Sequence, residues 1–347
     1  MRILSLCAAL FVAAFGSAQA AEVVPATAYL PVLAYDAAPD TRPQLVPLAA
    51  SRPLDVNHAG LTRAIIIIHD EGRDATGAMA TIAALAGEQN AKAIILAPQF
   101  LMPSDIVRFA DYLPEKGKGF AAWQVLGWSR GDESMPVSGY RSVSSFTVVD
   151  LLLMYLADRN AYPDLKEIIV AGHGAGANFI QRYAAVSVAA DAVDKQNINL
   201  RFIAAGATSY LYQTVLRPLK DDKGFGAVDV KACPEFNVYP YGLEKLNAYA
   251  RRTGVNAIKV EYARRFITYL NAEVPDPVPD VSCAALEQGM TGASRAENYK
   301  LYLRKLYGDV ASRTQTFAKA KEKKNDAVSL FGSACGMATL FGDGLCR

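Results

Sequence analysis

Histidine is scarce in this chain. There are three in 347 residues, at His58, His69 and His173, and none follows position 173. The second half therefore has no imidazole to act as a proton acceptor. No paired-histidine or Cys-x-x-Cys spacing is present to bind zinc. An excess of charge of either sign is missing as well. With 36 Lys+Arg against 34 Asp+Glu, the net charge of +2 exerts little pull on nucleic acid. Long apolar runs are also absent. The stretch from Ile3 to Phe15 is shorter than the roughly 20 residues that a spanning helix needs, and no later segment is long and apolar enough.

That apolar stretch follows Met1-Arg2 and precedes Gly16-Ser17-Ala18-Gln19-Ala20. One basic residue, a short apolar core and an Ala-x-Ala site describe a secretory signal peptide over residues 1–20. The expectation is export to the periplasm or medium as a mature chain of residues 21–347, long enough for one α/β domain, with no spanning segment once the signal is removed. Cys7 lies in the signal. Four cysteines remain, Cys233, Cys283, Cys335 and Cys346, and an even number in an exported chain suggests two disulfides. Three pairings satisfy them, of which Cys233–Cys283 with Cys335–Cys346 is favoured.

What is present is an alternation of buried-strand and helix patterns. Arg63-Ala64-Ile65-Ile66-Ile67-Ile68-His69 is the clearest strand, and its unbroken β-branched run predicts burial on both faces of a parallel sheet. Further strands are expected over Tyr29–Tyr35, Ala93–Pro98, Lys166–Gly172, Arg201–Ala205 and Arg265–Leu270. Helices are expected over about Ala78–Glu88, Ser145–Asn160, 175–185 and Ala296–Leu306. Residues 21–58 are rich in Pro, Ala and Thr, and residues 103–140 read as irregular. The run Lys319-Ala320-Lys321-Glu322-Lys323-Lys324 reads as a solvated strand end. Strands alternating with helices imply a mostly parallel central sheet with helices on both faces, and residues 206–265 read as a small insertion over one edge.

The stretch around which these elements are arranged is Ile168-Ile169-Val170-Ala171-Gly172-His173-Gly174-Ala175-Gly176. A strand runs into closely spaced glycines and then a helix. The spacing matches the Gly-x-Ser-x-Gly nucleophile elbow, with Gly174 where the serine belongs. Other segments accompany it: His69-Asp70-Glu71-Gly72-Arg73-Asp74-Ala75, Ser209-Tyr210-Leu211-Tyr212, Cys233-Pro234-Glu235-Phe236-Asn237, Tyr241-Gly242-Leu243, and Ser282-Cys283-Ala284-Ala285 with Gln288-Gly289. In this order they resemble the α/β-hydrolase superfamily, in a secreted bacterial and fungal branch, over about Tyr29 to Gly342.

The resemblance implies an α/β-hydrolase fold and acyl transfer by a serine, a histidine and a carboxylate. It maps those roles onto Gly174, Asn325 and, after the strand ending at Leu270, Asp276, with Asp280 as a stand-in. The triad is thus degenerate. Asp70 also replaces a glycine of the oxyanion loop, and with Glu71 it would oppose a developing negative charge. The expected role is non-catalytic binding of a small molecule, polymer or protein through the old cleft, with no cofactor and no metal. Candidate binding residues are His69, Asp70, His173, Ala175, Trp123, Ser209 and Tyr210, and Trp128 and Tyr212 are further candidates for the cleft wall. Two rival readings are an ester hydrolase with a displaced nucleophile, Ser209 or Ser129, and a metal-dependent enzyme at His69 and His173.

Overall fold

The computed structural model describes residues 28–219, 224–272, 280–321, 324–342 and 346. The expected signal peptide over residues 1–20, Asp276 and most of the Asn271–Asp280 loop lie outside them. The isoleucine run of β3 (Arg63–Ile68) forms the middle of an eight-stranded sheet. The strands on one side of it are β4 (Ala93–Pro98), β2 (Gln44–Ala50) and β1 (Ala28–Val32). On the other side are β5 (Glu167–His173), β6 (Asn199–Ala205), β9 (Phe266–Ala272) and β10 (Gln315–Ala320). All pairings are parallel except β1 with β2 and β2 with β4.

Side chains alternate across a strand, so each isoleucine run divides between two cores. Ile66, Ile68, Leu96, Ile168 and Val170 face one core, where they meet Phe146, Val149, Phe179 and Tyr183 from α3 (Ser145–Leu156) and α4 (Ala175–Val186). Ile65, Ile67, Ile95, Ile169 and Ala171 face the other. There they meet Ile82 of α1 (Ala75–Ala86), Leu330 of α11 (Ala327–Gly332) and Leu340 of α12 (Ala334–Phe341). Burial on both sides is why these strands lack polar alternation.

Remaining connections carry α2 (Pro103–Arg108) and α5 (Ala190–Asp194). Between β6 and β9 lie the hairpin of β7 (Arg217–Pro218) and β8 (Phe225–Gly226), then α6 (Ala248–Thr253) and α7 (Val255–Arg264). Between β9 and β10 lie α8 (Cys283–Leu286), α9 (Gly292–Tyr307) and α10 (Asp309–Thr314).

Several boundaries differ from the sequence reading. The first helix begins at Ala75 because the Asp74 carboxylate accepts from the Gly77 amide at 2.7 Å, and it ends before Gly87, at φ +51°. The third stops at Leu156. Residues 44–50, to which the sequence assigned no strand, form β2, where Val46, Leu48 and Ala49 are buried. Both expected disulfides are present, with Cα separations of 5.7 Å for Cys233–Cys283 and 4.2 Å for Cys335–Cys346. Among the described residues no helix is long and apolar enough to cross a membrane.

Candidate functional site: an elbow filled by a carboxylate

The strand–turn–helix at β5 and α4 depends on close backbone approach. A Cβ on Gly176 would lie 2.5 Å from the Ile68 carbonyl oxygen, and one on Gly172 would lie 2.5 Å from the Gly176 carbonyl carbon. Between them Gly174 has φ +55° and ψ −114°, and its amide donates to the Ala205 carbonyl at 3.0 Å. The sharp bend that presents a nucleophile is therefore retained without one.

The space above the bend is occupied. A Cβ built on Gly174 would meet the Asp70 carboxylate oxygens at 2.4 and 2.5 Å. Asp70 Oδ1 accepts from the Ala175 amide at 2.8 Å and from the Glu71 amide at 2.8 Å. One donor is the residue after the elbow, at the start of α4, and the other lies in the loop after β3. Such amides, with the helix dipole behind them, form an anion site. Partial burial raises the Asp70 pKa, but hydrogen bonds from His173 and Ala175 and the charge interaction with His173 outweigh it, so the net shift is downward. The loop is held from outside by Arg73, which forks onto Asp105 at 2.7 and 3.0 Å.

His173 bridges the two sides of the site. Its Nδ1 lies 3.1 Å from Asp70 Oδ2, and its Nε2 lies 3.2 Å from the Asn325 carbonyl oxygen. An ionised carboxylate and a carbonyl both only accept, so the imidazolium form satisfies both contacts and the neutral ring one. Asn325 thus reaches the elbow through its backbone. Its side chain lies over the end of β6, where a Cβ on Gly206 would come within 2.5 Å of Asn325 Oδ1.

No family model matches the chain, and no curated protein does. Solved structures do. Poly(aspartic acid) hydrolase-1 from Sphingomonas sp. KT-1 superposes with a TM-score of 0.54 at 18% identity, over 88% of this chain and 96% of its own. LpqC, a poly(3-hydroxybutyrate) depolymerase from Bordetella parapertussis, superposes at 0.53 with 15% identity, over 87% of this chain and 88% of its own. The chain has the α/β-hydrolase fold.

In this hydrolase fold the expected site residues separate into three groups. Asp70, His173, Ala175, Gly174 and Asn325 converge at the elbow. His69 lies beside them but is used in packing. Its Nδ1 is 2.9 Å from the Asp70 carbonyl oxygen, its Nε2 accepts from the Phe100 amide at 3.0 Å, and its ring meets Trp128 edge-on. Both ring nitrogens are engaged, and burial lowers its pKa to about 4. Trp123 and Tyr210 form the third group. Both are fully buried, Trp123 donating to the Asp132 carbonyl and Tyr210 stacking on Tyr299, so neither lines an open cleft. Trp128 and Tyr212 are core residues too.

The two candidate serines have no imidazole beside them. Ser129 donates to the Leu126 carbonyl, and Ser209 accepts from Arg182 at 3.0 Å. Both instead line a cleft of about 290 Å³ next to the elbow, together with Glu71, Asn178, Arg182, Tyr241 and Asp280. The sequence reading passed over Arg182. The available signal was a charged residue inside the apolar pattern of α4, every residue of which is buried.

Proposed function

We propose that this is an exported binding protein built on the hydrolase fold, in which the elbow no longer carries out acyl transfer. The observation that carries the reading is the Asp70 carboxylate seated on the Ala175 and Glu71 amides. Acyl transfer needs a nucleophile at the bend and vacant donors for the oxygen that becomes negative. Here the bend is a glycine, and a permanent anion holds the donors. Asn325 at the histidine position supports the same reading, as does the absence of histidine beyond residue 173. The mature chain, residues 21–347, acts as one domain with residues 206–265 as an insertion. The signal-like residues 1–20 and the two disulfides support a periplasmic or extracellular location.

The test is turnover of p-nitrophenyl acetate and butyrate by the purified protein. Rates indistinguishable from buffer are expected. Saturable turnover that follows the protein through purification would overturn the reading.

A further inference from the structure

Among the described residues four arginines are almost wholly buried: Arg182, Arg217, Arg265 and Arg295. Three have evident compensation. Arg217 donates to four carbonyl contacts and lies over the rings of Tyr212 and Phe236. Arg295 donates to the carbonyls of Gly289, Thr208 and Asp280. Arg265 pairs with Asp191 at 2.7 Å. Arg182 differs. It is 3% exposed, and its guanidinium makes one good hydrogen bond, to Ser209 Oγ at 3.0 Å, and one long one, to the Ser129 carbonyl at 3.5 Å. Among the described residues its Nε has no partner, as is also true of Arg217 and Arg265, but unlike Arg265 it has no carboxylate within 4 Å, and unlike Arg217 and Arg295 it has no set of three or more carbonyls. A buried guanidinium with unused donors is costly unless an anion completes it.

Arg182 lines the cleft beside the elbow, together with Ser209. We propose that this cleft is a subsite for a small organic monocarboxylate, whose two oxygens are received by Arg182 with Ser209 beside it. This rests on the reading that the protein binds an occupant there rather than turning it over. The planar fork of arginine matches a carboxylate. Ser209 accepts from Arg182 and still has its own proton to donate. Leu126, Val281 and the Tyr241 ring offer apolar surface to the body of the ligand.

The charge of the lining favours a single negative charge. Arg130 and Arg182 are matched by Glu71 and Asp280, and Asp280 is already engaged by Tyr241 and Ser282 at 2.8 and 2.7 Å. Those two carboxylates would repel a dianion more strongly than a monoanion. The volume, about 290 Å³, is near the lower end for small-molecule sites.

The experiment is calorimetric titration of the full mature protein at pH 8 with benzoate, with neutral benzamide, and with the dianion phenylphosphonate. Saturable benzoate binding is expected, at least tenfold tighter than either comparison ligand. Arg182→Lys, which keeps the charge but loses the fork, should weaken benzoate several-fold, and Arg182→Gln should abolish selectivity over benzamide. Benzamide or phenylphosphonate binding as tightly as benzoate, or no saturable benzoate binding, would overturn the subsite. The wild-type comparison needs no variant to fold. A p-nitrophenyl ester assay on the same sample separates the two claims. Turnover with benzoate selectivity intact would remove the non-hydrolytic reading and leave the subsite standing, whereas lost selectivity without turnover would remove the subsite alone.

Discussion

A serine side chain at position 174 would begin 2.4 Å from an Asp70 oxygen, on a backbone with positive φ. The substitutions that fit this bend are therefore linked in pairs. Gly174→Ser alone should cost about 1–3 kcal/mol, from strain and from displacing Asp70 off its amides. Adding Asp70→Gly should recover part of that cost. Urea midpoints of the four-member cycle measure the coupling, and additive effects would contradict the contact. His69 makes a different prediction. Burial keeps it neutral down to about pH 4, whereas the unfolded side chain takes up a proton near 6.5. The unfolded state binds more protons in that window, so stability falls as pH drops from about 6.5 to about 4, by up to roughly 3 kcal/mol. Asp150 acts oppositely. Burial raises its carboxyl to about 6 against the opposing pull of hydrogen bonds from the Tyr249 and Tyr183 hydroxyls, so its contribution falls as pH rises from the ordinary carboxylate range toward 6. The comparison of wild type with His69→Gln isolates the histidine, and the variant should lose the fall between pH 6.5 and 4. An unchanged profile would mean that His69 is not held neutral.

The elbow as an element is set by three close approaches, and these can be tested without reference to chemistry. Gly176→Ala places a methyl 2.5 Å from the Ile68 carbonyl, a backbone atom that cannot swing aside. A loss of about 2 kcal/mol or more is expected, read as a lower urea midpoint with unchanged slope. A neutral result would mean that α4 sits further from β3. Elements with a strong period were legible in the sequence: the isoleucine run of β3, the strand into the glycines, and the helices at 145 and 296. The β2 strand was not. Pro47 within it reads as a breaker, because proline gives a ladder no donor, yet the strand is held by the β1 residue Tyr29 opposite Pro47 and by β4 on its other side. Tertiary pairing overrode the local signal. The same limit applied to the site. Gly174 and Asn325 follow from chain order, but the seating of Asp70 on two amides depends on which way a loop side chain turns. Tryptophan and tyrosine were offered as cleft residues on residue type alone. The fold places Trp123 and Tyr210 in the core, and it brings Arg182, hidden in an apolar helix, to the cleft instead.

At the scale of the molecule, two cross-links close loops of very different length. Cys233–Cys283 spans 50 residues and Cys335–Cys346 spans 11. Restriction of the unfolded chain gives about 4 and about 3 kcal/mol respectively, a large share of the roughly 5–15 kcal/mol that holds a domain folded. Reduction with a strong thiol should lower the melting temperature by several degrees. Cys233→Ser with Cys283→Ser should account for more of that loss than the C-terminal pair. Equal melting with and without reductant would show that the cysteines do not cross-link the mature protein.

On the proposed reading no hydroxyl of the chain is activated toward an acyl group, because the bend that should display one holds a glycine under a carboxylate. Intact-mass analysis after incubation with a fluorophosphonate reagent tests this most directly. An unmodified mass is expected at reagent excess and long exposure. A stoichiometric addition mapping to one serine, prevented by prior denaturation, would contradict it.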